Sequence, residues 1–192
     1  NTNIDNYEIS KQEGTLTVTN REAKYEITVK ANSATATYDG KEHEAVGVET
    51  YEFTVEGNSY TVSGLSTEDP KQKDAGSYTN NITGTPVVTD KEGNVVTSEF
   101  EVKTENGSLE IGKAAVTLKS ATLSKKYDGN ALVNGDTALE VESGFAEGEG
   151  ATYNFTGSQT VVGSSANAFS YELNSNTNID NYEISKQEGT LT

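Results

Sequence analysis

The 192-residue chain has no cysteine, no methionine and no tryptophan, only two prolines and a single histidine. Without cysteine there are no disulfides and no thiolate metal sites. A chain without thiols suits reducing and oxidising compartments alike, so this absence names neither. Cationic residues are scarce: 14 Lys and Arg stand against 30 Asp and Glu, for a formal net charge of −16. Such a surface repels phosphate backbones and anionic headgroups, which argues against nucleic-acid and membrane-surface roles. The acidic excess instead keeps crowded copies soluble. No apolar run approaches the roughly 20 residues of a membrane-spanning helix. Hydrophobic residues make up 32% of the chain. Even with the 18 glycines added, this stays below the roughly 45–50% usual for a globular chain. It suffices for small cores rather than one large one. Helical periodicity is missing too, since no long window carries apolar positions at the spacing of an amphipathic helix.

What is present is repetition. The segment NTNIDNYEISKQEGTLT occurs twice without change, at 1–17 and at 176–192. Self-similarity at a fixed period marks a tandem array. Two units fit inside the period. Residues 1–23 read as the closing strand of a preceding unit plus a linker, 24–113 as a first β repeat unit, and 114–192 as a second. The final segment supplies the closing strand of the second unit. Its N-terminal copy, with no unit of its own, is expected to expose Tyr7, Ile9 and Leu16.

Each unit is written in strand grammar. Tyr25, Ile27 and Val29 alternate, Tyr38-Asp39-Gly40 turns, Phe53 and Val55 alternate, and Gly57-Asn58 turns again. Tyr60 and Val62, Tyr78 and Ile82, Phe100 and Val102, and Leu109 and Ile111 continue the pattern. A hairpin is expected between Val87-Val88 and Val95-Val96, around Asp90-Lys91-Glu92-Gly93. Val116 and Leu118 match Ile27 and Val29, Tyr127-Asp128-Gly129 matches Tyr38-Asp39-Gly40, and Tyr182 and Ile184 match Phe100 and Val102. Identity in between pairs Tyr60 and Gly64 with Tyr153 and Gly157, and Ser77-Tyr78 with Ser170-Tyr171. On that alignment the second unit gains four residues after its Asp-Gly turn and lacks 11 at the Val87–Val96 hairpin. Thr, Val, Ile and Tyr fill the periodic segments and favour half-buried strands. The expected class is mainly β: two tandem small antiparallel modules, packed as an immunoglobulin-like sandwich. The alternative is a β-grasp-like sheet carrying one short helix, for which 134–140 is the one candidate.

Tyr38-Asp39-Gly40-Lys41-Glu42-His43, Asp74-Ala75-Gly76-Ser77-Tyr78 and Gly107-Ser108-Leu109-Glu110-Ile111-Gly112-Lys113-Ala114 resemble the bacterial surface repeats called MBG or YDG domains. The second unit is similar to a sister branch, with Leu132-Val133-Asn134-Gly135-Asp136 and the closing Asn181-Tyr182-Glu183-Ile184. It departs from the pattern at Ala168-Phe169-Ser170-Tyr171. The resemblance implies tandem modules of large adhesins, extracellular, on the bacterial cell surface or in the cell wall. It implies no catalytic residues and no shared ligand site. The expected role is a structural stalk or spacer, partnered by neighbouring repeats of the same chain. The alternative is a module binding host glycan or protein through multivalency.

Candidate chemistry is thin. His43 reads as a solvated loop residue rather than a catalytic base, and no enzyme and no cofactor are expected. Calcium is the alternative, at Asp90-Lys91-Glu92-Gly93-Asn94 or at Glu147–Glu149, though neither matches a known calcium loop. Lys30 and Lys119 lie out of phase with Val29 and Leu118 and should face solvent, which speaks against an interior Lys–Asn bond. Tyr51, Tyr60 and Tyr153 are the candidate glycan-stacking residues, with core packing as the plainer reading. Tyr38, Tyr127, Tyr78 and Tyr171 are expected to lay their rings on the core with the hydroxyl at the surface. A monomer is expected.

Overall fold

The computed structural model describes residues 4–19, 22–135 and 138–192. It is mainly β, and its helical content among these residues is three 3-10 turns: Ile4–Asn6, Thr97–Glu99 and Ile179–Asn181. The first module comprises β1 (Tyr25–Lys30), β2 (Ala34–Thr37), β3 (His43–Glu44), β4 (Glu52–Val55), β5 (Asn58–Thr67), β6 (Lys71–Gln72), β7 (Gly76–Asn80), β8 (Ile82–Asp90), β9 (Phe100–Glu105) and β10 (Gly107–Gly112). The second comprises β11 (Ala114–Lys119), β12 (Leu132–Val133), β13 (Val141–Ser143), β14 (Ala151–Phe155), β15 (Ser158–Gln159), β16 (Ser165–Ala166), β17 (Phe169–Leu173), β18 (Tyr182–Gln187) and β19 (Thr190–Leu191).

Most pairings are antiparallel, as in the β4-β5-β8 sheet, but the strands that open and close each module pair in parallel. β1 lies beside β9 with Ile27 opposite Val102, and β2 lies beside β10 with Leu109 opposite Ala34. In the second module β11 lies beside β18 with Val116 opposite Ile184, and Leu123 bridges Leu191 in parallel. The first and last strands of a module are therefore neighbours, and neither end of the module is complete without the other. Alternation decides which side chains go inward. In β1 Ile27 and Val29 are buried, and in β11 Val116 and Leu118 are. Lys30 and Lys119 point outward to Glu105 and Glu140 at 2.8 and 3.1 Å.

The hairpin expected at 87–96 forms, with Thr89 bridging Val95 and Gly93 at a φ of 87°. The segment 134–140 shows no helix at 134–135 or 138–140, and Asp136 and Thr137 lie outside the described residues. The 1–17 segment was expected as a strand. Among its described residues, 4–17, there is a 3-10 turn and no strand, and Tyr7, Ile9 and Leu16 are exposed.

The pairing register corrects the alignment by identity. Gly107 stands opposite Asn80, and Gly189 accepts the amide of Asn167 at its carbonyl. Asn80 and Asn167 are both fully buried, and their side-chain amides reach equivalent carbonyls, Asn32 at 3.1 Å and Ala121 at 2.9 Å. A Cβ on either Gly107 or Gly189 would collide with those same carbonyls, which is why glycine stands there. Thr67 opposite Ile82 corresponds to Phe155 opposite Phe169. Tyr153 therefore matches Leu65 rather than Tyr60, and Ser165 rather than Tyr171 takes the place of Tyr78. Twenty positions separate Asn80 from Phe100 and 15 separate Asn167 from Tyr182, so the second module is shorter there by five rather than 11. Identity of short Ser-Tyr and Tyr–Gly strings misled the alignment because a buried Asn and a glycine under a carbonyl constrain the backbone more than a half-exposed tyrosine does.

The cores do not divide at the module boundary. Ile27, Val29, Val62, Val88 and Phe100 form one cluster within the first module. The other joins Tyr38, Ala45, Leu109 and Ile111 of the first module to Ala114, Val116, Leu118, Phe169 and Tyr182 of the second. Lys113 alone separates β10 from β11, so the chain passes between modules without slack.

Candidate functional site: the junction between the modules

The C-terminal ends of β2 and β10 meet the N-terminal ends of β11 and β18. Tyr38 follows β2 and is tied to the end of β10 by its amide, which donates to the Gly112 carbonyl at 2.8 Å. This places its ring at the boundary, edge-on to Tyr182 at 5.3 Å between centroids. Phe145 packs edge-on to Tyr182 from the other side at 5.2 Å. Gly40, at a φ of 80°, comes so close to the second module that a Cβ there would lie 3.1 Å from the Cβ of Ala146.

At the centre of this junction is a carboxylate. The Glu149 side chain is only 7% exposed. The Tyr38 hydroxyl donates to its Oε1 at 2.6 Å and the Tyr182 hydroxyl to its Oε2 at 2.7 Å. Tyr182 in turn accepts the Ala146 amide at 3.1 Å. Lys73 Nζ lies 3.8 Å from Glu149 Oε1 and brings a positive charge to it. Both lone-pair faces of the buried carboxylate are thereby used, which is what makes its burial tolerable. Burial, and then the Glu149 carboxylate, push the Tyr38 phenol above its usual range. Burial also raises that of Tyr182, and the Ala146 amide partly offsets the rise. A second set of bonds runs alongside. The Ala75 amide donates to Asn181 Oδ1 at 2.8 Å, and Asn181 Nδ2 donates to Asp74 Oδ1 at 2.8 Å. The 3-10 turn Ile179–Asn181, capped by the Asn178 side chain, holds Asn181 in place.

The polar groups of this arrangement satisfy one another across the junction. From the sequence, Tyr38, the Asp74-Ala75-Gly76 loop and Asn181 stood out only as motif residues and Glu149 only as part of a calcium alternative, and their pairing at the junction was not foreseen. The available signal was the juxtaposition of two Tyr-rich turns with only one residue between the modules. Tyr38 also departs from its expected role, since the whole side chain, hydroxyl included, is covered by the second module. Tyr127 departs the other way and is 67% exposed.

The three candidate ligand tyrosines are not brought together. Tyr51 and Tyr60 pack on the first-module cluster, and Tyr60 stands 4.7 Å from Phe100. Tyr153 packs in the other cluster, where burial and then Glu142 raise its phenol, although no hydrogen bond reaches the buried oxygen. Tyr60, Phe53 and Lys91 border a shallow, open concavity. His43 is no solvated loop residue. It sits half-buried in β3, with Nε2 2.9 Å from Asp39 Oδ1. The Lys41 amide and then His43 hold the Asp39 carboxyl below its ordinary range.

In the 90–94 turn the Asp90 carboxylate accepts the Asn94 side chain at 2.9 Å, the Asn94 amide at 2.8 Å and the Glu92 amide at 3.0 Å. It therefore serves the turn itself, and these bonds lower its pKa. Among the described residues no group of three or more His, Asp or Glu side chains converges to hold a metal. No described helix is long and apolar enough to cross a membrane. Set against known proteins, the chain matches no family model, no curated protein and no solved structure.

Proposed function

We propose that the chain is a structural spacer: one period of a stalk on an extracellular bacterial surface adhesin, holding a distal binding domain away from the cell. The observation that carries this reading is the buried Tyr38–Glu149–Tyr182 junction, which joins the two modules with a single residue between β10 and β11. A spacer has to transmit position along its length, and a polar lock with an apolar surround resists bending where a free linker would not. The unchanged 17-residue duplication supports the same reading, since identical copies let length vary by gain or loss of periods. The motif resemblance supplies the setting. A host-binding role acting through copy number is the competing reading; it is less supported because Tyr51, Tyr60 and Tyr153 are half-buried against core clusters and are not brought together.

The test places one, two and three periods between a surface anchor and a reporter binding tip. The height of the tip above the surface should rise in equal steps with each period, while the 192-residue chain alone binds no glycan on an array. Saturable glycan or host-protein binding by the chain alone, with tip height insensitive to period number, would overturn the reading.

A further inference from the structure

At the end of the second module remote from the junction runs a groove. Lys125 and Tyr127 are on one wall, residues 160–163 are on the other, and Thr192 is at its head. The first module shows what such walls enclose. There β10 runs between β2 and β7, with Ile111 opposite Ala36 on one side and Gly76 on the other. In the second module β19 begins in the same way, between Leu123 and β16, with Leu191 opposite Ser165. The Lys125 amide donates to the Thr192 carbonyl at 3.0 Å. By register Lys125 stands where Ala36 stands, Tyr127 where Tyr38 stands and Gly163 where Gly76 stands. The groove is thus the onward path of β19, bounded by backbone on both sides.

We infer that this groove receives the Val18-Thr19 segment of a second copy of the repeat, added as the continuation of β19 beyond Thr192. Resting on the spacer reading, this assigns the contact that would pass from one period to the next. Two observations carry it. Where the 17-residue segment first occurs, it is followed by Val18-Thr19. Counted from Leu16, which equals Leu191, Val18 falls at the position of Ile111 and Thr19 at that of Gly112. Ile111 is 3% exposed and belongs to the cluster that spans the junction, whereas Val18, with no module to close, is 99% exposed.

The second observation is the surface around the groove. Tyr127 corresponds to the wholly covered Tyr38, and Val161 and Val162 correspond to Asp74 and Ala75 of the junction. Val162 is 87% exposed, and Val161 and Tyr127 stand out beside it. The face is thus apolar where the formed junction is polar, and it calls for a different end of the molecule. Adding a strand between two prepared walls supplies main-chain hydrogen bonds on both sides. Val18 then takes the place of Ile111, which in the first module is buried in the same cluster as Tyr38.

The experiment extends the 192-residue chain at Thr192 by a second copy of residues 18–24, with a matching extension carrying Val18→Asp in the added copy. Hydroxyl-radical footprinting read by mass spectrometry is the deciding measurement, because the peptides bearing Tyr127, Val161 and Val162 occur once in every version. Tyr127 labelling is expected to fall several-fold in the Val extension and to stay at the level of the 192-residue chain in the Asp extension. The melting midpoint should rise by about 2–4 °C or more with Val alone. Equal Tyr127 labelling in all three chains would overturn the inference, and so would a melting shift without protection. Such a failure would leave the spacer reading in place, because a jointed chain also spans distance. That reading falls only to the height and binding measurements given above.

Discussion

Residues 4–17 and 179–192 are the same sequence in two settings. Both form a 3-10 turn over Ile-Asp-Asn, at Ile4–Asn6 and at Ile179–Asn181. Both place a lysine 2.6 Å from the glutamate two residues on, Lys11 with Glu13 and Lys186 with Glu188. Only the second forms β18 and β19. Leu16 is 100% exposed and its twin Leu191 is 0% exposed. The difference separates what a peptide does by itself from what its neighbours impose. A turn closed by a bond three residues away and a nearby ion pair are local and survive transplantation. A strand is a pairing, and β18 and β19 exist because β11 and β16 present ladders to them.

Paired substitutions in the two copies sharpen this comparison. The largest expected contrast is Leu191→Ala against Leu16→Ala. Opening a cavity at Leu191 should cost about 2–5 kcal/mol, whereas Leu16→Ala should stay within about 0.5 kcal/mol. Urea unfolding of the two variants checks this, and equal costs would show that the N-terminal copy packs against something in solution.

Next comes Asn181→Ala against Asn6→Ala. The former leaves the Ala75 amide and the Asp74 carboxylate without their partner across the junction. It should cost about 1–3 kcal/mol, since a buried group loses its hydrogen bond. The latter should be silent in the same unfolding assay.

The third contrast is one of pH. Tyr38, Tyr153 and Tyr182 have phenols raised above the ordinary value of 10.0. Above that value the unfolded chain gives up phenolic protons that the folded chain retains. Stability contributed by these groups is thus complete below pH 10 and is lost as pH rises beyond it. Tyr38→Phe should flatten part of that fall, Tyr153 and Tyr182 carrying the rest. Melting temperatures between pH 8 and 11 would decide the point, and a fall untouched by Tyr38→Phe would remove the junction as its source.

The smallest contrast concerns the ion pair. In the folded copy Lys186 also lies 4.7 Å from the centroid of the Phe169 ring, and its bond to Glu188 lowers that carboxyl's pKa. Lys186→Gln should cost at most about 1 kcal/mol and less in salt, and Lys11→Gln nothing measurable.

The sequence by itself determined the repeat, the mainly β class and the inward faces of the opening strands. Alternation at Ile27 and Val29, or at Val116 and Leu118, depends only on the two-residue period of a strand. The exposure of Tyr7, Ile9 and Leu16 was also expected from it. The sequence did not determine the register between the modules. Asn80 and Asn167 are equivalent because each side chain satisfies one buried carbonyl, and that carbonyl is found only after folding.

Nor did it determine the junction. Tyr38 and Tyr127 occupy the same motif, yet one is sealed over a carboxylate and the other stands in solvent. The motif is the same, so the difference lies in what is placed beyond it: Glu149, from the loop between β13 and β14, and Tyr182, from β18, both come from far along the chain. Only tertiary structure brings a buried charge and its two hydroxyl donors to one point, because the bonds that make such burial tolerable are not local in sequence.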